Sequence, residues 1–393
     1  MKIIVSKRIQ NLPGYAFAEV DKKVAEAKAS GADIIDFGVG DPTDDTPEFI
    51  RDACKVAIDK RAGSGYPSYI GSSEYRSAIS RWVNNRFGVI LDPETEICST
   101  IGAKEGIFHF PLGFVNSRDY VLCPSPGYPP YGRGTLFAGG IPWFYPLREE
   151  NNFFPDFTRI PEKNQAKKIK ILWLNYPNNP TGKTASIEMY FEAIEFCRMH
   201  NIVLASDECY SEIYFDKPPV SLLQCGDGDG MVVFQSLSKP SMMTGYRAGW
   251  VMGDSRIIDV FKKVKTNIDS GTPTFIQDAA IAALQEPIHV SDMRREYQKR
   301  RDVLIKALTS IGLDKCEPEG TFYIWQKVPK GMNSLGFAEL LLEQCEIVVT
   351  PGEAISEVVA DGTNPGRDFV RFALVPSLER TKEAAKRIKK LKF

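Results

Sequence analysis

The chain has 393 residues, with 49 basic and 50 acidic side chains and a formal net charge of -1. This length predicts two lobes rather than one compact domain, and the hydrophobic share of 43% is typical of a globular soluble protein. The balanced charge gives no electrostatic reason to expect nucleic acid or an anionic membrane as a partner.

Several classes of protein are disfavoured by what the sequence lacks. The start, MKIIVSKRIQ, is interrupted by charge too early for a signal peptide, and no apolar run is long enough to cross a bilayer. The eight cysteines form no CxxC pair, which favours a cytoplasmic protein with free thiols. The three histidines stand at no metal-ligand spacing, so neither a metal site nor a serine–histidine triad is expected.

The N-terminal part predicts a helix over Tyr15–Ser30, and the middle of the chain predicts an α/β domain. There, strand-like apolar runs alternate with amphipathic helical stretches such as Lys104–Val115 and Ile187–His200. Strands separated by helices predict a mostly parallel sheet covered on both faces. The predicted strands are Glu96–Thr100, Asp119–Cys123, Lys168–Tyr176, Asn201–Ser206, Met231–Ser236 and Tyr246–Gly253.

The C-terminal part predicts a smaller α+β lobe. A charged helix extends from about His289 to Ser310, and a basic helix ends the sequence. Three short strands are predicted between these helices, at Thr321–Lys327, Ile347–Thr350 and Phe369–Leu374. We expect both ends of the chain to build this lobe, with the large domain at 46–285 and the small domain at 1–45 and 286–393.

Polar residues follow the predicted strands, where an open parallel sheet binds its ligands. Gly102–Gly106 follows the first strand and opens a helix, whose free N–H groups suit a phosphate. Tyr128, after the second strand, can stack on a flat ring, although tyrosines more often serve as packing residues. Asn179, in NYPNNPTG, can present its amide to a ring oxygen, although Asn-Pro-rich stretches also form plain turns.

Asp207 and Tyr210 come at the end of the fourth strand, in SDECY. An aspartate aimed at a pyridine nitrogen would keep that nitrogen protonated and make the ring an electron sink. Tyr210 can donate to a phenolate oxygen on the same ring. An aspartate that merely opens a turn is the alternative explanation.

Ser236-Leu-Ser-Lys239 directly follows the fifth strand, and Arg247 comes eight residues later in TGYRAGW. A partly desolvated lysine can hold a cofactor aldehyde as a Schiff base, because burial lowers its pKa toward neutrality. The serine hydroxyls and Arg247 can bind a phosphate, although both charges are also common in ordinary loops.

Arg371 lies within the apolar strand Phe369–Leu374 and therefore needs a partner. A substrate carboxylate would serve bidentately, and a structural salt bridge is the competing explanation. No motif in the chain decides the function alone, but their joint order does, because nearly all of them stand at the ends of strands.

In this joint order the chain resembles the class I/II aminotransferases of PLP fold type I over essentially its whole length. The matching landmarks are Gly40 in FGVGDP, Tyr66 with IGSSEYR, Gly102–Gly106, Tyr128, Asn179-Pro-Thr-Gly182, Asp207 with Tyr210, Ser236–Lys239, Arg247 and Arg371. The resemblance implies an enzyme that uses pyridoxal 5'-phosphate and forms a homodimer with shared active sites.

The resemblance also implies roles for single residues. Lys239 would form the internal aldimine and move the proton between the substrate Cα and C4′ of the cofactor. Asp207 would pair with the pyridinium nitrogen, and Tyr128 would stack on the ring. O3′ would be held by Asn179 and Tyr210. The phosphate would be bound by Ala103, Lys104, Ser236, Ser238 and Arg247, with Tyr66 from the partner subunit.

Within the family, the chain is most similar to the subfamily that acts on LL-diaminopimelate, in segments such as LPGYAFAEVDKK and SLSKPSMMTGYRAGW. Arg371 would bind the substrate α-carboxylate. The tyrosine that matches Tyr15 lines the substrate site of that subfamily, and Ser270 falls near a position where some members carry a substrate-contacting asparagine. The residues expected to bind substrate are Tyr15, Gly40, Lys104, Asn179, Ser270 and Arg371.

The expected reaction transfers an amino group between LL-2,6-diaminopimelate and 2-oxoglutarate, a step of lysine biosynthesis. The alternatives are an alanine, aspartate or aromatic aminotransferase of the same family and a PLP-dependent carbon–sulfur lyase on the same fold. A non-catalytic ligand sensor with an aminotransferase-like domain is disfavoured by the near-neutral charge, since it would have to bind DNA.

Overall fold

The computed structural model describes residues 3–10, 12, 22, 24–26, 29, 31–160 and 168–393. The helix predicted over Tyr15–Ser30 lies almost entirely outside these residues. The strands are β1 (Ile35–Asp36), β2 (Ile97–Ile101), β3 (Tyr120–Ser125), β4 (Ile141–Pro146), β5 (Ile169–Asn175), β6 (Val203–Asp207), β7 (Met231–Ser236), β8 (Ala248–Gly253), β9 (Tyr323–Lys327), β10 (Ile347–Val348), β11 (Thr350–Pro351) and β12 (Phe369–Ala373).

Helices connect these strands throughout the described part of the chain. They are α1 (Lys7–Gln10), α2 (Glu48–Lys60), α3 (Ser73–Phe87), α4 (Ala103–His109), α5 (Pro130–Phe137), α6 (Ile187–His200), α7 (Ser255–Thr266), α8 (Thr274–Gln285), α9 (Ile288–Ser310), α10 (Ser334–Cys345) and α11 (Leu378–Ile388). None of them is long and apolar enough to cross a membrane.

A seven-stranded sheet forms the centre of the large lobe, in the order β2-β8-β7-β6-β5-β3-β4. Neighbouring strands from β7 to β4 are parallel, whereas β8 pairs antiparallel with both β7 and β2. Two apolar cores lie against the sheet, and strands such as β7 are buried along their whole length. Burial on both faces explains why these strands are continuous apolar runs. The predicted α/β class with a mostly parallel sheet is confirmed.

Strand β4 was not predicted from the sequence. It contains Pro142 and Pro146, and proline weakens a strand prediction because it removes a ladder donor. The structure places β4 at the edge of the sheet, where prolines are tolerated.

Two predicted boundaries were wrong by several residues. The helix expected over Lys104–Val115 ends at His109 and continues as a 3-10 turn, Phe110–Gly113, because Pro111 has no backbone N–H to continue an α-helix. The strand expected from Tyr246 begins at Ala248, since Thr244–Tyr246 is a 3-10 turn and Arg247 has a φ of 58°.

The small lobe contains a three-stranded sheet in the order β11-β12-β9 and a separate parallel pair of β1 with β10. The single strand predicted over Ile347–Thr350 is therefore split between two sheets. Because β1 near the N-terminus pairs with β10, and Ile35 and Phe37 pack in the C-terminal core, we propose domain boundaries near residues 45 and 285.

Candidate active site

A cavity of about 760 Å³ opens where β5, β6 and β7 end. It lies between the large sheet and residues of the small lobe. The structure brings these predicted residues together on its walls: Gly40, Ala103, Lys104, Tyr128, Asn179, Asp207, Tyr210, Ser236, Ser238, Lys239, Arg247 and Arg371. The rule that ligands bind beyond the carboxyl ends of strands therefore located this cavity.

Lys239 stands three residues beyond β7, with its side chain largely out of water. Its Nζ donates a hydrogen bond to the carbonyl oxygen of Gly40 at 2.7 Å and lies 5.6 Å from the ring centre of Phe322. Burial lowers the pKa of the Lys239 amine to about 8, against the opposing pull of the nearby Asp41 carboxylate. An amine of this kind is partly neutral near physiological pH and can act as a nucleophile or a base.

Gly40 has room for no side chain. A Cβ at this position would overlap the hydroxyl of Tyr323, which also lines the cavity. The absence of a Cβ therefore lets the backbone of this segment approach both Tyr323 and the Lys239 amine.

Asp207 ends β6 with its carboxylate buried beside the cavity. Its Oδ2 accepts a hydrogen bond from the Tyr131 hydroxyl at 2.7 Å, and its Oδ1 accepts one from the Cys209 N–H at 3.2 Å. Burial raises the pKa of the Asp207 carboxyl, and these two hydrogen bonds oppose the rise. The turn predicted as the alternative exists, but the same carboxylate also faces the cavity.

Tyr210 and Asn179 lie on the cavity wall and have their polar groups partly engaged. The Tyr210 hydroxyl is 3.1 Å from the Tyr323 hydroxyl. The Asn179 Oδ1 accepts a hydrogen bond from Arg371 at 3.0 Å, which leaves the Asn179 amide nitrogen as the group able to donate to a ring oxygen.

Arg371 is buried and forms no ion pair within the described part of the chain. Its guanidinium donates to the oxygens of Asn179, Gly38 at 2.9 Å and Thr350 at 3.2 Å, and it lies 4.5 Å from the centre of the Tyr323 ring. The structural salt bridge considered from the sequence is therefore not formed. A buried arginine without a carboxylate favours a carboxylate-bearing ligand.

A second arginine of the cavity wall, Arg247, lies near the start of α4, and Ser236 and Ser238 line the same cavity. The Arg247 guanidinium donates to the Thr244 carbonyl oxygen at 2.8 Å, and a Cβ at Gly102 would overlap it. The Ser236 hydroxyl donates to Ser238 Oγ at 2.9 Å. Gly102 provides no side-chain cap for α4, so the first N–H groups of this helix remain available to an anion.

Two predicted site residues do not line this cavity, and a third cannot be placed because it lies outside the described residues. Tyr66 is 90% exposed, Ser270 is also exposed, and neither lines the cavity. Their loops touch, because a Cβ at Gly271 would contact the Ser68 carbonyl oxygen at 2.5 Å. Tyr15 lies outside the described residues, so its role stays a prediction. The described residues contain no cluster of histidine, cysteine, aspartate or glutamate that could hold a metal ion.

Sequence reasoning missed Tyr131 and Tyr323. Tyr131 follows Tyr128 by three residues in GYPPYG, and this spacing at a helix start could have indicated that both rings point the same way. Tyr323 stands in a strand of the small lobe, and nothing in its local sequence indicates a contact with Tyr210, 113 residues away.

Comparison with known proteins agrees with this geometry. The family model "Aminotransferase class I and II" matches residues 32–388. The LL-diaminopimelate aminotransferase of Aquifex aeolicus is 46% identical over 391 residues, which are 99% of each chain.

Solved structures are similar as well. A probable N-succinyldiaminopimelate aminotransferase from Thermus thermophilus superposes with a TM-score of 0.88 at 30% identity, covering 96% of this chain and 100% of that one. A single mutant of aspartate aminotransferase from the same organism has a TM-score of 0.90 at 27% identity, with full coverage of both chains. The chain belongs to the class I and II aminotransferases.

Proposed function

We propose that this aminotransferase moves the amino group of LL-2,6-diaminopimelate to 2-oxoglutarate. The observation that carries the proposal is one cavity that holds a desolvated lysine, a buried aspartate and a buried arginine with no carboxylate partner among the described residues. The choice of amino donor is supported by the LL-diaminopimelate aminotransferases of Aquifex aeolicus and Halothermothrix orenii, which are 46% and 44% identical to this chain over 97% or more of its length.

The residues of the cavity fit pyridoxal 5'-phosphate, the cofactor of this family. Asp207 offers a carboxylate for a ring nitrogen, and Tyr128 offers a ring face for stacking. The Arg247 guanidinium lies close to Gly102, which has a φ of 71° and directly precedes α4, so the arginine stands beside the first N–H groups of that helix. An arginine, two serine hydroxyls and a helix start together suit a phosphate group.

The cofactor, when bound, supplies an aldehyde that takes up the amino group and a ring that accepts electrons. Lys239 would remove the proton from the substrate Cα and return it to the reacting carbon, a task for which a pKa of about 8 is suited. Asp207 would keep a proton on the ring nitrogen. Arg371 would bind the α-carboxylate bidentately and set the substrate in register with Lys239.

The proposal includes a homodimer in the cytoplasm. Tyr66 and Ser270 are exposed on loops that touch each other, so both can reach the active site of a partner subunit. The eight cysteines are free thiols, which supports a reducing compartment.

The test supplies one amino donor at a time to the holoenzyme without any 2-oxo acid and follows the cofactor absorbance. We expect LL-diaminopimelate to convert the cofactor to its amine form in a single half-turnover, at a much higher rate than alanine, aspartate or phenylalanine. If one of these three donors reacts fastest, the proposed donor is wrong. Release of pyruvate and ammonia without an acceptor would instead indicate a carbon–sulfur lyase.

A further inference from the structure

Tyr131 is a buried tyrosine whose hydroxyl contacts Asp207, a residue of the cavity wall. It is the second residue of α5, is 1% exposed, and donates to Asp207 Oδ2 at 2.7 Å. Its ring stacks on Trp173 of β5, with 5.1 Å between the ring centres and 23° between the planes. Packing therefore holds the hydroxyl in place, and the hydrogen bond does not depend on a mobile side chain.

Asp207 faces a conflict that this hydrogen bond can resolve. Burial favours the neutral form of a carboxyl group, and a neutral acid would keep for itself the proton that the ring nitrogen needs. In a hydrogen bond between a carboxylate and a pyridine nitrogen, the shared proton stays on the more basic partner. Donors to the carboxylate lower its basicity and so shift that proton toward the nitrogen.

Among the described residues, Cys209 and Tyr131 donate to Asp207. The Cys209 backbone N–H donates at 3.2 Å and belongs to the turn itself, and the Cys209 thiol adds a second contact from the same residue. The Tyr131 hydroxyl donates at the shorter distance of 2.7 Å and is the stronger of the two side-chain donors. Its removal should shift the balance without changing the turn.

We propose that Tyr131 is a positioning residue that keeps Asp207 ionised and aimed at the pyridine nitrogen of the cofactor. The inference rests on the proposed use of pyridoxal 5'-phosphate but not on the identity of the amino donor. It assigns to Tyr131 a part in the chemistry that requires no contact with the substrate.

The test compares Tyr131→Phe with a matched control, Tyr145→Phe. Tyr145 is also buried, and its hydroxyl donates at 2.6 Å to the carbonyl oxygen of the same Trp173. Each variant therefore loses one buried phenol hydrogen bond in the same region, but only Tyr131→Phe loses a donor to Asp207. This design separates a general loss of stability from a specific effect on the carboxylate.

Two readouts do not depend on turnover. Holoenzyme prepared with cofactor labelled by ¹⁵N at the pyridine nitrogen reports, at one fixed pH, whether that nitrogen carries the proton. Affinities for pyridoxal phosphate and for its analogue with carbon in place of the ring nitrogen report what the Asp207 contact contributes. In Tyr131→Phe we expect the nitrogen signal to move toward the unprotonated position and the pyridoxal phosphate affinity to fall about 10-fold, the size of one hydrogen bond to a charged group. Affinity for the carbon analogue should stay within about twofold, and Tyr145→Phe should change none of these values.

An unchanged nitrogen signal and an unchanged pyridoxal phosphate affinity in folded Tyr131→Phe would overturn the inference. Equal losses for the cofactor and its carbon analogue would overturn it too, since they would indicate a purely structural role. If Tyr131→Phe does not fold, 3-fluorotyrosine at position 131 decides, because the more acidic phenol should move the nitrogen signal toward the protonated position. A wild-type protein that shows the expected nitrogen signal but does not react with LL-diaminopimelate would contradict only the proposed donor.

Discussion

Two lysines of this chain, Lys265 and Lys239, lie largely away from water, and their amines have different partners. Lys265, on α7, is fully buried, and its Nζ contacts Asp269 at 2.8 and 2.9 Å and Glu105 at 3.2 Å. Lys239, in the cavity, is bonded to the carbonyl oxygen of Gly40 and has no carboxylate within hydrogen-bond distance in the described part of the chain.

The difference shows how one residue type serves structure in one place and chemistry in another. The paired Lys265 joins α7 to α4 and to the loop that follows α7, because its two carboxylates belong to those segments. The unpaired Lys239 has a lowered amine pKa of about 8, since burial disfavours its charged form. Burial beside two carboxylates thus makes a lysine a structural link whose loss would leave those carboxylates without their cation. Burial beside only a neutral carbonyl acceptor gives a more reactive amine and costs stability.

The largest expected effect comes from Lys239→Ala. Loss of the amine removes both the covalent link to the cofactor and the base, so turnover should fall by about 10⁴-fold or more. Steady-state rates of holoenzyme with amino donor and 2-oxo acid measure it, and Lys60→Ala, at an exposed position on α2, is the control. Turnover within tenfold of wild type would contradict the assigned role of Lys239.

Lys265→Met should lower the free energy of unfolding by about 3–5 kcal/mol, because it leaves two largely buried carboxylates without their cation. Lys263→Met is a matched control on the same helix. Lys263 also pairs with an aspartate across one helical turn, Asp259, but both side chains are exposed, so the expected loss is about 1 kcal/mol or less. Urea unfolding followed by circular dichroism measures both, and equal losses would show that burial of the pair is irrelevant.

The smallest expected effect has the opposite sign. In cofactor-free protein, Lys239→Met should raise the free energy of unfolding at pH 7, by up to about 3 kcal/mol for a pKa lowered from 10.5 to about 8. Between these two values the unfolded chain binds more protons than the folded one, so the stability of the wild type rises with pH through this window.

The advantage of Lys239→Met should therefore be complete below pH 8 and decrease as the pH approaches 10.5. Urea titrations of both proteins at several pH values between 7 and 10.5 check this. A Lys239→Met protein that is less stable than the wild type at pH 7 would remove the contrast between the two lysines.

Much of the fold and of the cavity could be predicted because the signals are local. Strands β2, β3, β5, β6, β7 and β8 are apolar runs, and each residue predicted at the end of such a strand lines the cavity. Lys239 and Asp207 were found in this way. Their environment could not be found, because Tyr131 reaches Asp207 only through the packing of α5, and Tyr323 reaches Tyr210 and Arg371 only through the packing of the small lobe.

Other features resisted prediction for the same reason. The charge pattern around Lys265 is that of an ordinary amphipathic helix, and only the structure shows that its Nζ is buried among carboxylates. That Arg371 pairs with no carboxylate in the described part of the chain likewise depends on tertiary structure, since the strand sequence alone allowed a salt bridge.

The reversed direction of β8 has a consequence for how this chain can vary. Because β8 runs back along β7, a single connection of eleven residues, 237–247, carries both Lys239 and Arg247 to the same edge of the sheet. No crossover helix intervenes that could absorb a change in length. An insertion or deletion here would change the position of Arg247 relative to Lys239, whereas longer loops elsewhere tolerate such changes. The eight-residue spacing from Lys239 to Arg247 can therefore be used as a criterion for distant relatives. A homologue with a different spacing is expected to keep the fold but to have lost the chemistry.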